Sequence, residues 1–143
     1  IQSDCACLNK MIEDALENAD GIRFMRDPTR GGIAAVLNEV VMDRDFGIEI
    51  DEALVPLSES VRAVSELLGI EPYGVASEGR AVIVVDSSKE EEVLSILRKH
   101  EAGQGACRIG RVTKAAGRVV AVTQGGGRRV IAMPAGEGLP RIC

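Results

Sequence analysis

Three stretches of this sequence carry side chains that could do chemistry, and the first is its end. Cys143 closes the run Met133-Pro134-Ala135-Gly136-Glu137-Gly138-Leu139-Pro140-Arg141-Ile142-Cys143, whose prolines and glycines continue neither helix nor strand. A tail of this kind reaches on the order of 30 Å when extended. Its thiol could therefore visit more than one site, as a carrier or nucleophile must. Arg141 favours the thiolate and the α-carboxylate opposes it. The plainer alternative is a frayed end on which the cysteine is incidental. The second stretch is Ser77-Glu78-Gly79, a break between two extended segments. A carboxylate there can stand at a cleft rim as a general base, or serve as a turn carboxylate accepting backbone hydrogen bonds.

The third stretch, Met25-Arg26-Asp27-Pro28-Thr29-Arg30-Gly31-Gly32, joins a short apolar run (Ile22, Phe24) to an apolar helical pattern. Asp27 followed by Pro28 reads as N-cap and first helical residue, with Thr29 as the alternative cap. Two glycines in a first turn each cost about 1 kcal/mol against alanine. Something must need the missing side chains. Either a neighbouring backbone approaches closely, or an anion sits on helix N–H groups that have no intrahelical partner. Arg26 and Arg30 would reinforce an anion; a tight turn with glycines for packing is the alternative.

Apolar periodicity predicts the elements that must position these groups. Leu8, Ile12, Ala15, Leu16 and Ala19 give a first helix, capped by Ser3 or Asp4 and stopped at Asp20-Gly21. Cys5 and Cys7 fall in its first turn as partly buried residues. A strand over 22–25 leads into the glycine turn, and a largely buried helix over 31–42 carries Ile33, Val36, Leu37, Val40 and Val41. Residues 47–51 alternate as a strand. A helix over 58–68 turns Val61, Val64, Leu67 and Leu68 inward and ends at Gly69. A strand over 80–85 follows, then a helix over 88–99 opened by the capping box Ser88-Lys89-Glu90-Glu91, with His100 at its far end. Three strands over 107–113, 118–123 and 128–132 complete a mixed α+β domain whose helices cover the sheet. Gly125-Gly126-Gly127 lies between two of those strands, and neither GxGxxG nor GxxxxGK[ST] occurs.

At 143 residues and 45% hydrophobic, the chain can bury a core of Val, Ile, Leu and Ala, since Phe24, Phe46 and Tyr73 are its only aromatics. A net charge of −5 argues against a nucleic-acid surface. No apolar run of about 18 residues predicts a membrane span, and no leader is expected. Cys5, Cys7, Cys107 and Cys143 do not form a disulfide framework, no CxxC pair occurs, and His100 is the one histidine. No metal site is expected, and the thiols suit a reducing, cytoplasmic compartment. Ile1 in place of methionine leads to the expectation of a piece from a longer chain.

Ser3-Asp4-Cys5-Ala6, the Arg26–Gly32 motif, Leu37-Asn38-Glu39, Glu78-Gly79 and the terminal Leu139-Pro140-Arg141-Ile142-Cys143 together resemble the C-terminal half of the HypE family of hydrogenase maturation factors. The wider relatives are the aminoimidazole-ribonucleotide synthetase and selenophosphate synthetase superfamily. The resemblance spans essentially the whole chain. Cys7 stands where that pattern has proline, and Ser77 where asparagine commonly precedes the glutamate.

The resemblance implies a three-layer α/β/α domain over 1–133 with a mixed sheet, and a mobile tail over 134–143. It implies an ATP-dependent carbamoyl dehydratase in which Cys143 accepts a carbamoyl group from HypF. ATP then activates the carboxamide oxygen, and loss of phosphate leaves a thiocyanate whose cyanide passes to iron on a HypC–HypD complex. Asp27, Thr29, Arg30, Gly31 and Gly32 are the implied phosphate neighbourhood, and Glu78 the group that removes a proton. ATP and Mg2+ would be held mainly by an N-terminal domain this chain does not include, which would also carry a homodimer interface; the fragment alone is expected to be inactive. A non-catalytic binding module whose tail docks on a partner is the alternative. A selenophosphate or purine-pathway synthetase has no need of a terminal thiol.

Overall fold

The computed structural model describes residues 3–135; the tail expected over 134–143, Cys143 included, falls mostly outside them. The elements in chain order are α1 (Asn9–Asn18), β1 (Ile22–Arg26), α2 (Gly32–Val41), β2 (Gly47–Asp51), α3 (Glu59–Leu68), β3 (Val82–Val85), α4 (Glu90–Leu97), β4 (Gly110–Thr113), β5 (Val119–Val122) and β6 (Arg128–Val130). Short 3-10 turns occupy Pro72–Gly74, Ser87–Lys89 and Glu101–Gly103. The chain divides into two compact units, one built from 29–76 and 108 onward, the other from the segment up to Pro28 and from 77–107.

The first unit holds a four-stranded sheet in the order β4-β2-β5-β6. β2 pairs antiparallel with β4 and parallel with β5, so the sheet is mixed, and the expected α+β class holds. β2 and β5 are its inner strands, with Val119 and Ala121 of β5 fully buried, and Ile48 and Ile50 of β2 buried by the same two-residue alternation. α2 covers this sheet with Ala34, Ala35, Val36, Leu37 and Val41. Burying each of the larger aliphatic side chains contributes about 1.5–3 kcal/mol. Glu49 of β2 accepts from Arg111 of β4 at 2.8 Å and from Arg128 of β6. Arg129 donates to Glu52 at 2.6 Å and Glu71 at 2.5 Å, and lies 5.4 Å from the centre of the Tyr73 ring. The hydrogen bond to Glu71 comes first in raising the pKa of Arg129, while burial pushes the Tyr73 phenol up.

In the second unit β1 runs antiparallel to β3, with Met25 opposite Ile83 and Arg26 opposite Val82. α1 and α4 pack around Met11, Ala15, Val93, Ile96 and Leu97. His100, just past α4, reaches Asp14 of α1 at 2.7 Å. That hydrogen bond is the leading cause holding the Asp14 carboxyl below its ordinary range. The side chain therefore joins two helices rather than finishing its own.

Several helix starts depart from expectation. α1 starts at Asn9 with no side-chain cap, so neither Ser3 nor Asp4 caps it, and Cys5 and Cys7 are exposed ahead of it. α4 starts at Glu90 after a 3-10 turn, and Ser88 does not cap it. Ser58 does cap α3, accepting from Val61 N–H at 3.3 Å, and Gly69 closes it. The same helix is turned differently from its predicted face: Ser65 is buried, while Val64, Leu67 and Leu68 are exposed at 41%, 83% and 60%. Apolar spacing fixed a helix here, but α3 packs chiefly on the Pro72–Gly74 turn, too small a surface to cover that stripe.

Gly32 shows why the glycine turn admits no side chain. Its φ is +61°, and a Cβ would lie 2.4 Å from Tyr73 O and 2.5 Å from Val75 O. Gly32→Ala combines left-handed strain with a backbone overlap, and is expected to lower stability by about 2–4 kcal/mol in a denaturant titration. A change below about 1 kcal/mol would contradict this packing.

Candidate functional site

Glu78 lies where two distant segments of the second unit meet. The first is Ser3-Asp4-Cys5-Ala6, extended chain ahead of α1; the second is Ser77-Glu78-Gly79, ahead of β3. Asp4 Oδ2 accepts from Ser77 Oγ–H at 2.9 Å and from Glu78 N–H at 3.0 Å. The Cys5 thiol donates to Glu78 Oε2 at 3.9 Å. Gly79 lets the segments close: its φ is +62°, and a Cβ would lie 2.1 Å from Asp4 O and 2.4 Å from Ala6 N. Ser77 N–H donates to Pro28 O at 3.1 Å, which ties the same loop to the Asp27-Pro28 part of the glycine-turn motif. Residues 3–6, the Asp27-Pro28 part of the glycine-turn motif and residues 77–79 therefore meet at the loop that carries the exposed Glu78.

The rest of that motif belongs to the first unit, because the boundary falls between Pro28 and Thr29. Asp27 does not cap α2. The cap position is Gly31 at φ +67°, with no side-chain cap and no acidic residue in the first turn. A glycine at the cap position offers the first turn of α2 no side chain, in a turn where Arg30 is exposed and Thr29 partly so. The space beside Gly32 is filled by the carbonyls of Tyr73 and Val75, so its glycine is explained by close backbone approach. Gly31 faces Ala35 Cβ and the ring of Pro134, which a Cβ there would meet at 2.7 and 3.5 Å.

Pro134 thus leads the last described residues past the glycine turn. Asn38 of α2 holds the stretch before it, donating to Ile131 O at 3.0 Å. This gives the Leu37-Asn38-Glu39 motif a structural use. Cys143 itself is outside the described residues. Cys5, Cys7 and Cys107 are exposed and in no disulfide among the described residues. Among the described residues no three His, Cys, Asp or Glu side chains are grouped to hold a metal ion, and no helix is long and apolar enough to cross a membrane.

Sequence spacing brought out Glu78 but missed what holds it. Asp4 reads locally as a helix cap, and nothing nearby signals a partner 73 residues further on. The one available signal was that Asp4 and Glu78 both belong to the quoted resemblance.

The family described as AIR synthase related protein, C-terminal domain, matches residues 1–123. The chain belongs to that family. As a whole, this AIR synthase related domain is 42% identical to the carbamoyl dehydratase HypE of Rhodobacter capsulatus, over 100% of this chain and 42% of that protein. It therefore spans about two-fifths of that relative's length. It superposes on the crystal structure of hydrogenase maturation protein HypE in complex with ATP with a TM-score of 0.89 and 38% identity, covering 99% of this chain and 44% of that one. A crystal structure of a HypE–HypF complex matches with a TM-score of 0.87 and 39% identity, over 94% of this chain and 44% of that one.

In this domain a side chain at Gly79 would force the two segments apart. Gly79→Ala is expected to speed hydrogen exchange at the Glu78 amide by about tenfold or more, read by NMR or mass spectrometry. An unchanged exchange rate would show that Asp4 does not protect that N–H.

Proposed function

We propose that this chain supplies the C-terminal part of an ATP-dependent carbamoyl dehydratase acting in nickel–iron hydrogenase maturation. The observation that carries this reading is the HypE likeness across the whole chain, together with the meeting of Ser3-Asp4-Cys5-Ala6 and Glu78-Gly79. The domain is taken as residues 1–133, and 134–143 as the segment that brings the reacting thiol of Cys143. Eight residues lie between Pro134, beside the glycine turn, and Cys143. They can span at most about 30 Å.

The Cys143 sulfur takes a carbamoyl group from HypF, giving a thiocarboxamide. The phosphoryl group of ATP goes to the carboxamide oxygen, one N–H proton is lost, and an imidate with a good leaving group results. Loss of the second N–H proton and expulsion of phosphate then leave a thiocyanate. Glu78, exposed and held at its backbone, is the base for the nitrogen protons. The N–H groups at the start of α2, with Thr29 and Arg30, suit the phosphate; Asp27, Gly31 and Gly32 shape that turn. Mg2+ enters with the nucleotide and is held by residues outside this chain. The cyanide goes to iron on a HypC–HypD complex, and the full-length protein works as a cytoplasmic homodimer. This domain alone is inactive.

Mass spectrometry of the full-length protein with HypF, carbamoyl phosphate and ATP is expected to show a carbamoyl group at Cys143, followed by loss of water. Cys143→Ala that still accepts the group would overturn the carrier role. Arg30→Ala should slow dehydration about tenfold or more while leaving carbamoylation near normal. Equal loss of both would indicate a folding defect instead.

A further inference from the structure

We infer that Asp4 is the positioning residue for Glu78, an inference that rests on the proposed role of Glu78 as base. A glutamate on an exposed loop has three side-chain torsions and a mobile backbone, so its carboxylate samples many places. Ordering it for proton removal requires that its own backbone be fixed first. Asp4 does this with one oxygen, which accepts from the Glu78 N–H and from the Ser77 hydroxyl beside it. Gly79 gives up its side chain so that Asp4 O and Ala6 N can lie against the far side of the loop. Ser77 N–H is anchored separately, on Pro28 O. The backbone on both sides of Glu78 is thus held by other segments.

The chemistry of the contact suits this task. A carboxylate accepts two hydrogen bonds on one oxygen more strongly than a neutral acceptor. Asp4 sits behind Glu78, on its peptide nitrogen, so it can orient the base without competing for the substrate proton. Cys5, the next residue, sets its thiol 3.9 Å from Glu78 Oε2, so the segment that fixes the backbone also borders the carboxylate. A serine at 77 adds a hydroxyl donor to the same oxygen. The position where this chain differs from the common pattern therefore takes part in the clamp.

The test uses single-turnover dehydration in the full-length protein whose Cys143 has already been carbamoylated. Asp4→Ala is expected to lower the dehydration rate about tenfold or more, with the KM for ATP and the carbamoylation rate unchanged. Asp4→Asn keeps an oxygen acceptor and should restore most of the rate. Ser77→Ala removes one of the two bonds and should give a smaller loss. In a Glu78→Gln background, Asp4→Ala should add nothing, because it acts through Glu78. If Glu78→Gln is fully active, the role of Glu78 fails and this inference with it. If Glu78→Gln is inactive while Asp4→Ala and Ser77→Ala are both at wild-type rate, only the positioning role fails. If Asp4→Ala does not fold, the Asn and Ser77 variants decide: a rate loss in Ser77→Ala supports the clamp, and a wild-type rate overturns it.

Discussion

One carboxylate oxygen of Asp4, shared between the Ser77 hydroxyl and the Glu78 amide, is the contact on which the candidate site depends. It joins chain separated by more than seventy residues, and it is made possible by a glycine whose β-carbon would overlap the partner backbone. Without it Glu78 would be an ordinary loop carboxylate. An exposed pair of neutral hydrogen bonds contributes about 1 kcal/mol each, and charge on the acceptor strengthens them. Such energies are modest against the stability of a domain, but large enough to decide where one side chain spends its time.

Much of the fold was legible because apolar spacing is a direct record of burial. α2 buries Val36, Leu37 and Val41 as the 3.6-residue period put them, with Ala34 and Ala35 in place of the half-buried Ile33 and Val40, and β2 and β5 alternate as strands on a half-covered sheet should. The helix starts were less legible. Asp4, Asp27 and Ser88 all carry the local signature of a cap, and none of them caps a helix. A cap competes with any tertiary partner that offers a better hydrogen bond, and sequence distance hides that competitor. α3 failed in another way: its period was right, but periodicity cannot say what lies opposite an apolar stripe, and Leu67 is left largely in solvent.

The glycine turn was read as a choice between packing and anion binding, and both glycines have a packing reason. Gly32 is accounted for by the carbonyls of Tyr73 and Val75. Gly31 is left-handed at the start of α2, and a Cβ there would meet Ala35 and Pro134, the latter on the chain leading toward Cys143. Under the proposed function, a phosphate neighbourhood and the root of a carrier tail would share one turn. That economy follows from glycine at both positions, since a side chain at either would push away a neighbour.

The proposed chemistry requires that the terminal sulfur come to the glutamate which Asp4 holds. The direct measurement is a crystal structure of the full-length protein with a thiocarboxamide on Cys143 and a non-hydrolysable ATP analogue. The expected result is a carboxamide nitrogen about 2.6–3.2 Å from the Glu78 carboxylate, with Asp4 still on the Glu78 amide. A loaded tail lodged away from Glu78 while nucleotide is bound would contradict the account.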